Sequence, residues 1–277
     1  DAFNVGLPAA GVDAIAAAPA PPAWIVLEYL SAEAWVDDAH LRASPEPRTG
    51  VPRRYWCPGF TPRTGGLLRE ADLLARRDAH MRTPHDGRRV LVFCYPTPAL
   101  ADLFDAWAGD DVATTALVPE GVAVEALDRY TGGAAPRPGA TWRRGALTIA
   151  SIPFVPQRDF DALLWSCDAA IVRGEDSFVR AQWAALPFAW HAYPQAADAH
   201  LEKLDAFCDR YLAGAPADHA AAVRMFDEAL NRGRGPALAA AWPGFARSID
   251  GLAAHRRAWA DALAEQCDLA SGLARYV

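Results

Sequence analysis

Strands and helices alternate strictly between about residue 90 and residue 212, and this alternation limits the possible folds more than any other feature of the sequence. Helical segments separate the strands; in the first of them Leu100, Leu103 and Phe104 share one face. Strands that are apolar along their whole length are buried on both faces, so the pattern predicts an α/β fold with a doubly wound parallel sheet. The apolar, strand-like runs lie at 90–94, 114–118, 147–152, 169–172 and 187–191.

The patterns outside this region are weaker. Residues 23–29 have the composition of a further buried strand, and the many prolines and glycines of residues 42–66 predict a long irregular segment. Helical spacing extends from Leu67 to about residue 82. After residue 214 every pattern is helical, and the last stretch extends from Ile249 to Leu273.

Charge and cysteine usage limit the class of partner. The net charge of −7, with both signs interspersed, argues against a nucleic-acid partner or an anionic membrane surface. No apolar run reaches the length of about 20 residues that a membrane-spanning helix needs. The five cysteines form neither a C-x-x-C pair nor a disulfide ladder, which favours a reducing compartment, the cytoplasm. The histidines lack H-x-x-x-H spacing, so we predict no metal site.

The segment from Ala169 to Arg180 passes from a buried strand through Gly174 directly into a helix. Ligands of open α/β sheets bind outside the carboxyl ends of the strands, and the N-terminus of a helix there suits a diphosphate. Glu175 and Asp176 would repel a phosphate beside them, but they could accept hydrogen bonds from sugar hydroxyls. The alternative is that Asp176 or Ser177 caps the helix and Glu175 is solvated, and from this segment alone capping is the commoner reason for such residues.

Residues 152–160 leave the preceding strand at the same edge of the sheet. Phe154 and Phe160 could hold a flat base between them, with Gln157 hydrogen bonding to the edge of the base. Packing of the two aromatic rings in the core is the alternative, and the commoner one. The D-x-D pattern of residues 159–161 matches metal-dependent glycosyltransferases, but it begins a helix here, so capping explains it better.

Phe93 and Tyr95 follow the first strand of the alternating region and would lie near the same crevice. Packing at the end of the strand is again the simpler alternative for both. The glycine-rich loop at residues 58–67 resembles a phosphate cradle but lacks the G-K-[ST] of a P-loop, so we interpret it as a structured linker.

Several long strings resemble the elongation factor P arginine rhamnosyltransferases, and the likeness covers nearly the whole chain. The string RGEDSFVRAQW is long and unusual, so chance is a poor explanation for the match. The strings are WIVLEYLSAE (24–33), PGFTPRTGGLLRE (58–70), FCYPTPAL (93–100), RGEDSFVRAQWAALPFAWHAYPQ (173–195) and DAHLEKLDAFCDRYL (198–212).

The resemblance implies a GT-B glycosyltransferase fold, in which two Rossmann-like halves face a cleft and the C-terminal helix crosses back to the first half. On that basis residues 1–82 are the remainder of the amino-terminal, acceptor-side domain with a linker. Residues 83–248 are the nucleotide-sugar-binding domain, and residues 249–277 are the helix that packs back on the first domain.

The implied activity is transfer of L-rhamnose from dTDP-β-L-rhamnose to an arginine of translation elongation factor P, with inversion and without a metal or other cofactor. By matching motif, Phe154, Gln157 and Phe160 would hold the thymine. Phe93 and Tyr95 would line the donor cleft. The ribose and diphosphate would contact Glu175, Asp176 and Ser177, and Glu175 would be important for activity.

The start of the chain departs from the family pattern. Family members open with a strand and a loop of the D-N-x-G-D type, which carries the acidic residues regarded as catalytic, and nothing in residues 1–30 matches that loop. We therefore expect an incomplete first half, with the general base in a preceding segment. Two other functions stay open: a GT-B transferase for a different nucleotide sugar or acceptor, and a non-catalytic nucleotide-sugar-binding partner of elongation factor P.

Overall fold

The computed structural model describes residues 1–3, 5–133 and 137–277. The chain divides into two compact units, one formed by residues 1–70 with 261–277 and the other by residues 71–260. These boundaries differ from the predicted ones at residues 82 and 248, because the helix after residue 70 and residues 249–260 both belong to the second unit. No helix in the described part of the chain is both long enough and apolar enough to span a membrane.

The first unit contains a small mixed sheet in the order β1-β3-β2. Strand β1 (Trp24–Leu27) pairs parallel with β3 (Pro52–Trp56), and β3 pairs antiparallel with β2 (Ala43–Pro45). The strand predicted at 23–29 is confirmed, whereas the prediction of an irregular segment at 42–66 is wrong for β2 and β3. Pro45 and Pro52 lie opposite each other where the pairing of β2 with β3 ends, a position at which the missing N–H of proline is tolerated.

The helices of the first unit are short. Helix α1 (Ala9–Ala17) packs Val12 into a cluster with Trp24, Val26 and Val51. Helix α2 (Trp35–Ala39) follows β1, and α12 (Leu269–Tyr276) ends the chain.

The second unit is built on a sheet in the order β6-β7-β5-β4-β8-β9. Neighbouring strands are parallel except for β6, which pairs antiparallel with β7 at the edge. The predicted doubly wound parallel sheet is therefore confirmed. Its strands are β4 (Arg88–Val92), β5 (Thr114–Pro119), β6 (Thr141–Arg144), β7 (Leu147–Ile152), β8 (Ala169–Arg173) and β9 (Phe188–His191).

The strand order reverses between β4 and β8. From β4 the chain builds outward through β5 to β7, then returns to place β8 on the other side of β4 and continues to β9. Because the loops after β4 and β8 turn in opposite directions, a crevice forms at the carboxyl ends of these two strands, where open α/β sheets bind ligands.

Helices cover the sheet and extend to the end of the unit. On α4 the predicted apolar face is confirmed, since Leu100, Leu103, Phe104 and Trp107 are fully buried. Two helical predictions need correction: α3 begins only at Leu73, and the stretch from Ile249 to Leu273 is divided among three helices. The helices are α3 (Leu73–Ala79), α4 (Leu100–Ala108), α5 (Val124–Thr131), α6 (Gln157–Trp165), α7 (Asp176–Trp183), α8 (Ala199–Tyr211), α9 (Ala217–Asn231), α10 (Gly235–Gly251) and α11 (Ala253–Ala264).

Candidate functional site

A pocket of about 430 Å³ opens at the crevice between β4 and β8. The segments after β4, β7 and β8 line it, together with the first residues of α6 and α7. The structure thus brings together every residue that the sequence predicted for donor binding, although the role of each stays a prediction. These residues are Phe93, Tyr95, Phe154, Gln157, Phe160, Glu175, Asp176 and Ser177.

Three phenylalanines form one end of the pocket. The ring of Phe93 lies 5.8 Å from that of Phe154 and 5.5 Å from that of Phe160, measured between centroids. Phe160 is buried, which is what the packing alternative expects. Phe154 is 61% exposed, so the core does not account for its position. An exposed aromatic ring on the wall of a pocket can stack on a planar ligand.

Gln157 is the first residue of α6, and its side chain reaches across the pocket to α7. Its Nε2 donates a hydrogen bond to Asp176 Oδ1 at 3.0 Å. The amide is therefore held near the aromatic end, and it can present either its donor or its acceptor to a ligand if this bond is exchanged.

The turn from β8 into α7 forms the other end of the pocket. Gly174 has a φ of +63°, and a Cβ there would come within 3.2 Å of the Tyr95 hydroxyl oxygen, so glycine suits both the backbone and the space. Glu175 is the N-cap residue of α7, and its side chain makes no capping hydrogen bond within the described structure. Helix α7 consequently begins at the end of the sheet, and the positive end of its dipole lies there.

The capping alternative for Asp176 and Ser177 is wrong in this structure. Both residues lie inside α7, after the N-cap. The Ser177 hydroxyl turns back to the end of β8, where it donates to the Arg173 carbonyl and accepts from the Arg173 N–H at 3.1 Å. Ser177 therefore holds the strand and the helix together across the turn.

Arg173 brings a positive charge to the pocket. Its guanidinium lies 4.5 Å from the ring centroid of Phe93 and 5.3 Å from that of Tyr95, and Nη1 donates to the Cys94 carbonyl at 3.2 Å. Stacking on two aromatic rings fixes the side chain and leaves the cation facing the turn.

Arg180, the other cation of the same motif, lies beneath the pocket instead of lining it. Both Arg180 and Asp161 have side chains only 3% exposed, and they pair at 3.1 Å between Nη1 and Oδ2. The Nε of Arg180 also lies 3.6 Å from Oδ1 of Asp176. Because Asp161 is on α6 and Asp176 on α7, this arginine connects the two helices that line the pocket.

The environment of Tyr95 adds two groups that the sequence did not predict. Its ring lies 5.6 Å from that of His191 and 5.3 Å from that of Tyr193, which is 66% exposed. Burial raises the pKa of Tyr95, an effect that the positive charge of Arg173 partly offsets. Both added residues stand at the end of β9, and their place after a parallel strand is the signal that could have found them.

His191 is buried, and burial lowers its pKa to about 4, with smaller contributions from His200 and Arg173. The imidazole is therefore neutral at pH 7. Its Nδ1 has no hydrogen-bond partner within the described residues.

The D-x-D pattern of residues 159–161 lies inside α6, after the N-cap Pro156, so the capping explanation is wrong for it. Asp161 is committed to Arg180, and both carboxylates lie in the first turns of α6. In the described part of the chain, no cluster of three or more histidine, cysteine or acidic residues could hold a metal ion.

Comparison with known proteins identifies the family of this chain. The family described as "Elongation-Factor P (EF-P) rhamnosyltransferase EarP" matches residues 1–277. The chain belongs to this family. Membership of the EarP family confirms the resemblance found in the sequence, and with it the prediction that the chain is an enzyme, a glycosyltransferase.

Curated relatives described as "Protein-arginine rhamnosyltransferase" match along the chain. The protein from Pseudomonas putida is 43% identical over 290 aligned residues, which cover 99% of this chain and 76% of the relative. The protein from Pseudomonas aeruginosa is 38% identical, over 100% of this chain and 77% of the relative. The protein from Shewanella oneidensis is also 38% identical, over 93% of this chain and 70% of the relative.

A solved EarP-family structure superposes on the chain. It is reported as "Structural basis for EarP-mediated arginine glycosylation of translation elongation factor EF-P", and the TM-score is 0.71 at 30% sequence identity. The superposition covers 92% of this chain and 98% of that one. The predicted α/β fold class of GT-B type is thereby confirmed.

Proposed function

We propose that this chain transfers L-rhamnose from dTDP-β-L-rhamnose to an arginine side chain of translation elongation factor P, with inversion at the anomeric carbon. The observation that carries the proposal is the pocket between β4 and β8, which has an aromatic end, a helix N-terminus and a fixed cation. A nucleoside diphosphate sugar has the matching parts: a flat base, two phosphates and a hydroxylated ring.

The thymine is assigned to the aromatic end. Phe154 is exposed on the wall and Phe160 is buried beside Phe93, so a base can stack against the first and rest on the other two rings. The Gln157 amide can form hydrogen bonds with the edge of the base after it leaves Asp176. Each stacking contact of this kind contributes about 1–3 kcal/mol to binding.

The diphosphate is assigned to the N-terminus of α7. The first turn presents backbone N–H groups and the positive end of the helix dipole, and Arg173 adds a full positive charge beside it. Together they can stabilise the charge that develops on dTDP when it leaves, which is why the proposal includes no metal. The carboxylates of Glu175 and Asp176 are then assigned to hydroxyl groups of the ribose and rhamnose.

The chemical step forms a bond between a guanidinium nitrogen of the acceptor and the anomeric carbon while the bond from that carbon to the phosphate oxygen breaks. The guanidinium is delocalised and protonated, so a carboxylate must hold it in line and take up one proton. Inversion requires attack from the side opposite the diphosphate. Glu175 is assigned to the donor, so we assign the general base to a different residue.

A cytoplasmic location is part of the proposal. A translation factor as acceptor requires it, and the five cysteines, none of which forms a disulfide in the described structure, are consistent with a reducing compartment.

Mass spectrometry of elongation factor P, after incubation with the protein and dTDP-β-L-rhamnose in the presence of EDTA, tests the proposal. A deoxyhexose increment on one arginine is the expected result. A second reaction with a UDP-hexose separates this activity from a GT-B transferase of different donor preference. Binding of dTDP and of elongation factor P without any increment would favour a non-catalytic partner.

A further inference from the structure

One polar side chain outside the pocket holds the turn between β8 and α7 in place. The indole N–H of Trp190 donates a hydrogen bond of 2.8 Å to the carbonyl oxygen of Gly174. Trp190 is on β9, which runs beside β8, and it does not line the pocket. Gly174 and Glu175 do line it, so this contact joins the pocket to the layer behind it.

The geometry of the peptide group gives this hydrogen bond a consequence inside the pocket. The carbonyl of Gly174 and the N–H of Glu175 belong to the same planar trans peptide, in which they point in opposite directions. Gly174 is also the residue with the fewest restrictions on its backbone, so this peptide could rotate more readily than its neighbours. Anchoring the carbonyl therefore fixes the direction of the Glu175 N–H at the start of α7.

Trp190 is itself firmly held. Its ring stacks on Phe178 with centroids 4.1 Å apart and an interplanar angle of 12°. Its backbone N–H donates to Asp227 Oδ1 at 2.9 Å, and its carbonyl accepts from Asn231 Nδ2 at 2.7 Å. Asp227 and Asn231 are one turn apart on α9 and both are buried, so the contacts with α9 set the position of Trp190 in the strand.

We propose that Trp190 is a positioning residue of the donor site, whose indole N–H orients the Gly174–Glu175 peptide to receive the diphosphate. The inference rests on the proposed function, since it takes a nucleoside diphosphate as the ligand. Trp190 touches neither the donor nor the reacting atoms; it acts through the turn that lines the pocket. Because the hydrogen bond orders the turn before the donor binds, the binding free energy is not reduced by the cost of ordering it.

The substitution Trp190→Phe tests this role, because phenylalanine can keep the stack on Phe178 while it removes the N–H donor together with part of the indole ring system. Trp242→Phe is the matched control: Trp242 is 2% exposed in the same unit, and its indole N–H has no partner among the described residues. Titration calorimetry with dTDP, well below the melting temperature, should show binding weakened about five- to tenfold by Trp190→Phe. Trp242→Phe should change it less than about twofold.

A spectroscopic measurement on the parent protein keeps the test independent of how the variant folds. The indole N–H signal of Trp190, assigned by triple-resonance NMR on the parent protein, should shift on addition of dTDP, while that of Trp242 should stay in place. An unmoved Trp190 signal, or dTDP affinity in Trp190→Phe equal to that of the parent, would overturn the positioning role alone. A parent protein that does not bind dTDP would overturn the proposed donor and this inference with it.

Discussion

Phe154 and Glu175 are the residues at which function and packing can be separated most cleanly. Both line the pocket, and neither belongs to the buried core. A residue that lies on a loop or a turn and is not buried contributes little to stability, so the effect of its removal reports on ligand contacts.

Phe154→Ala should weaken dTDP binding by about 1–3 kcal/mol, the range for loss of an aromatic ring that stacks on a base. The melting temperature should change little, because 61% of the side chain is exposed. Met225→Ala, which removes a similarly exposed side chain outside the pocket, is the control. Calorimetry measures both variants. A Phe154→Ala protein that unfolds would show that Phe154 packs in the core. A variant that binds dTDP as tightly as the parent would contradict the stacking role.

Glu175→Ala should lower the rate of rhamnose transfer about 10- to 100-fold, the cost of one hydrogen bond between a charged group and its ligand. Stability should change little, because the Glu175 side chain is only partly buried. Glu202→Ala, in the exposed first turn of α8, is the control. Steady-state assays with elongation factor P as acceptor measure the rate. Equal rates for the variant and the parent would make Glu175 a solvated surface residue.

At the scale of elements, helix α9 and strand β9 are joined through a buried carboxyl group. Asp227 is 2% exposed, and burial raises its pKa to about 8, although the hydrogen bond from the Trp190 N–H opposes the shift. Between pH 4 and pH 8 the folded protein therefore keeps a proton that the unfolded chain has lost. The free energy of unfolding consequently falls as pH rises through this range.

Asp227→Asn should remove that pH dependence, since asparagine keeps an acceptor for the Trp190 N–H and cannot ionise. The variant should gain stability relative to the parent as pH rises from 5 to 8, by up to about 1.4 kcal/mol for each pH unit. Urea denaturation at several pH values measures the difference. Asp218→Asn, exposed at the start of the same helix, is the control and should follow the parent. Parallel pH profiles for Asp227→Asn and the parent would contradict the prediction.

The elements that sequence patterns predict well are those whose signal is local. Strand β7 (Leu147–Ile152) matches its prediction to the residue, because a strand-like segment with buried residues at every second position ends before Pro153. Strand β6 has no such run: Thr141–Arg144 exposes most of its side chains and forms only because β7 offers an edge to pair with. The four residues of β6 carry no information about β7, so their sequence alone does not predict the strand.

The same limit applies to the candidate site. The sequence predicts which segments line the pocket, because these segments follow the ends of parallel strands. It does not predict their contacts, and Ser177 is an example: the motif suggested a cap, while the structure turns the hydroxyl back to Arg173. No sequence motif predicts the hydrogen bond between Trp190 and Gly174. This bond forms because β8 and β9 are neighbours in the sheet.

At the scale of the whole molecule, every residue that lines the pocket between β4 and β8 belongs to the unit formed by residues 71–260. Hydrogen–deuterium exchange with and without dTDP should therefore show protection at the turn around Gly174 and in the segment around Phe154. Residues 1–70 should exchange at the same rate in both states, because the residues that line the described pocket all lie between 93 and 177. Protection of residues 1–70 by dTDP alone would show that the donor site extends beyond the described pocket.

The pocket-lining residues occupy a single continuous stretch of chain, from Phe93 to Ser177, at the reversal of strand order between β4 and β8. On the proposed function, the residues that set donor preference therefore lie in one segment of the chain. A recombination between relatives with crossovers before β4 and after α9 would exchange the pocket residues together with Trp190 and the α9 residues that hold it. Residues 1–70 and 261–277 would stay unchanged. On the proposed function, such an exchange would change the donor that is bound, because every residue that lines the pocket lies inside the exchanged segment.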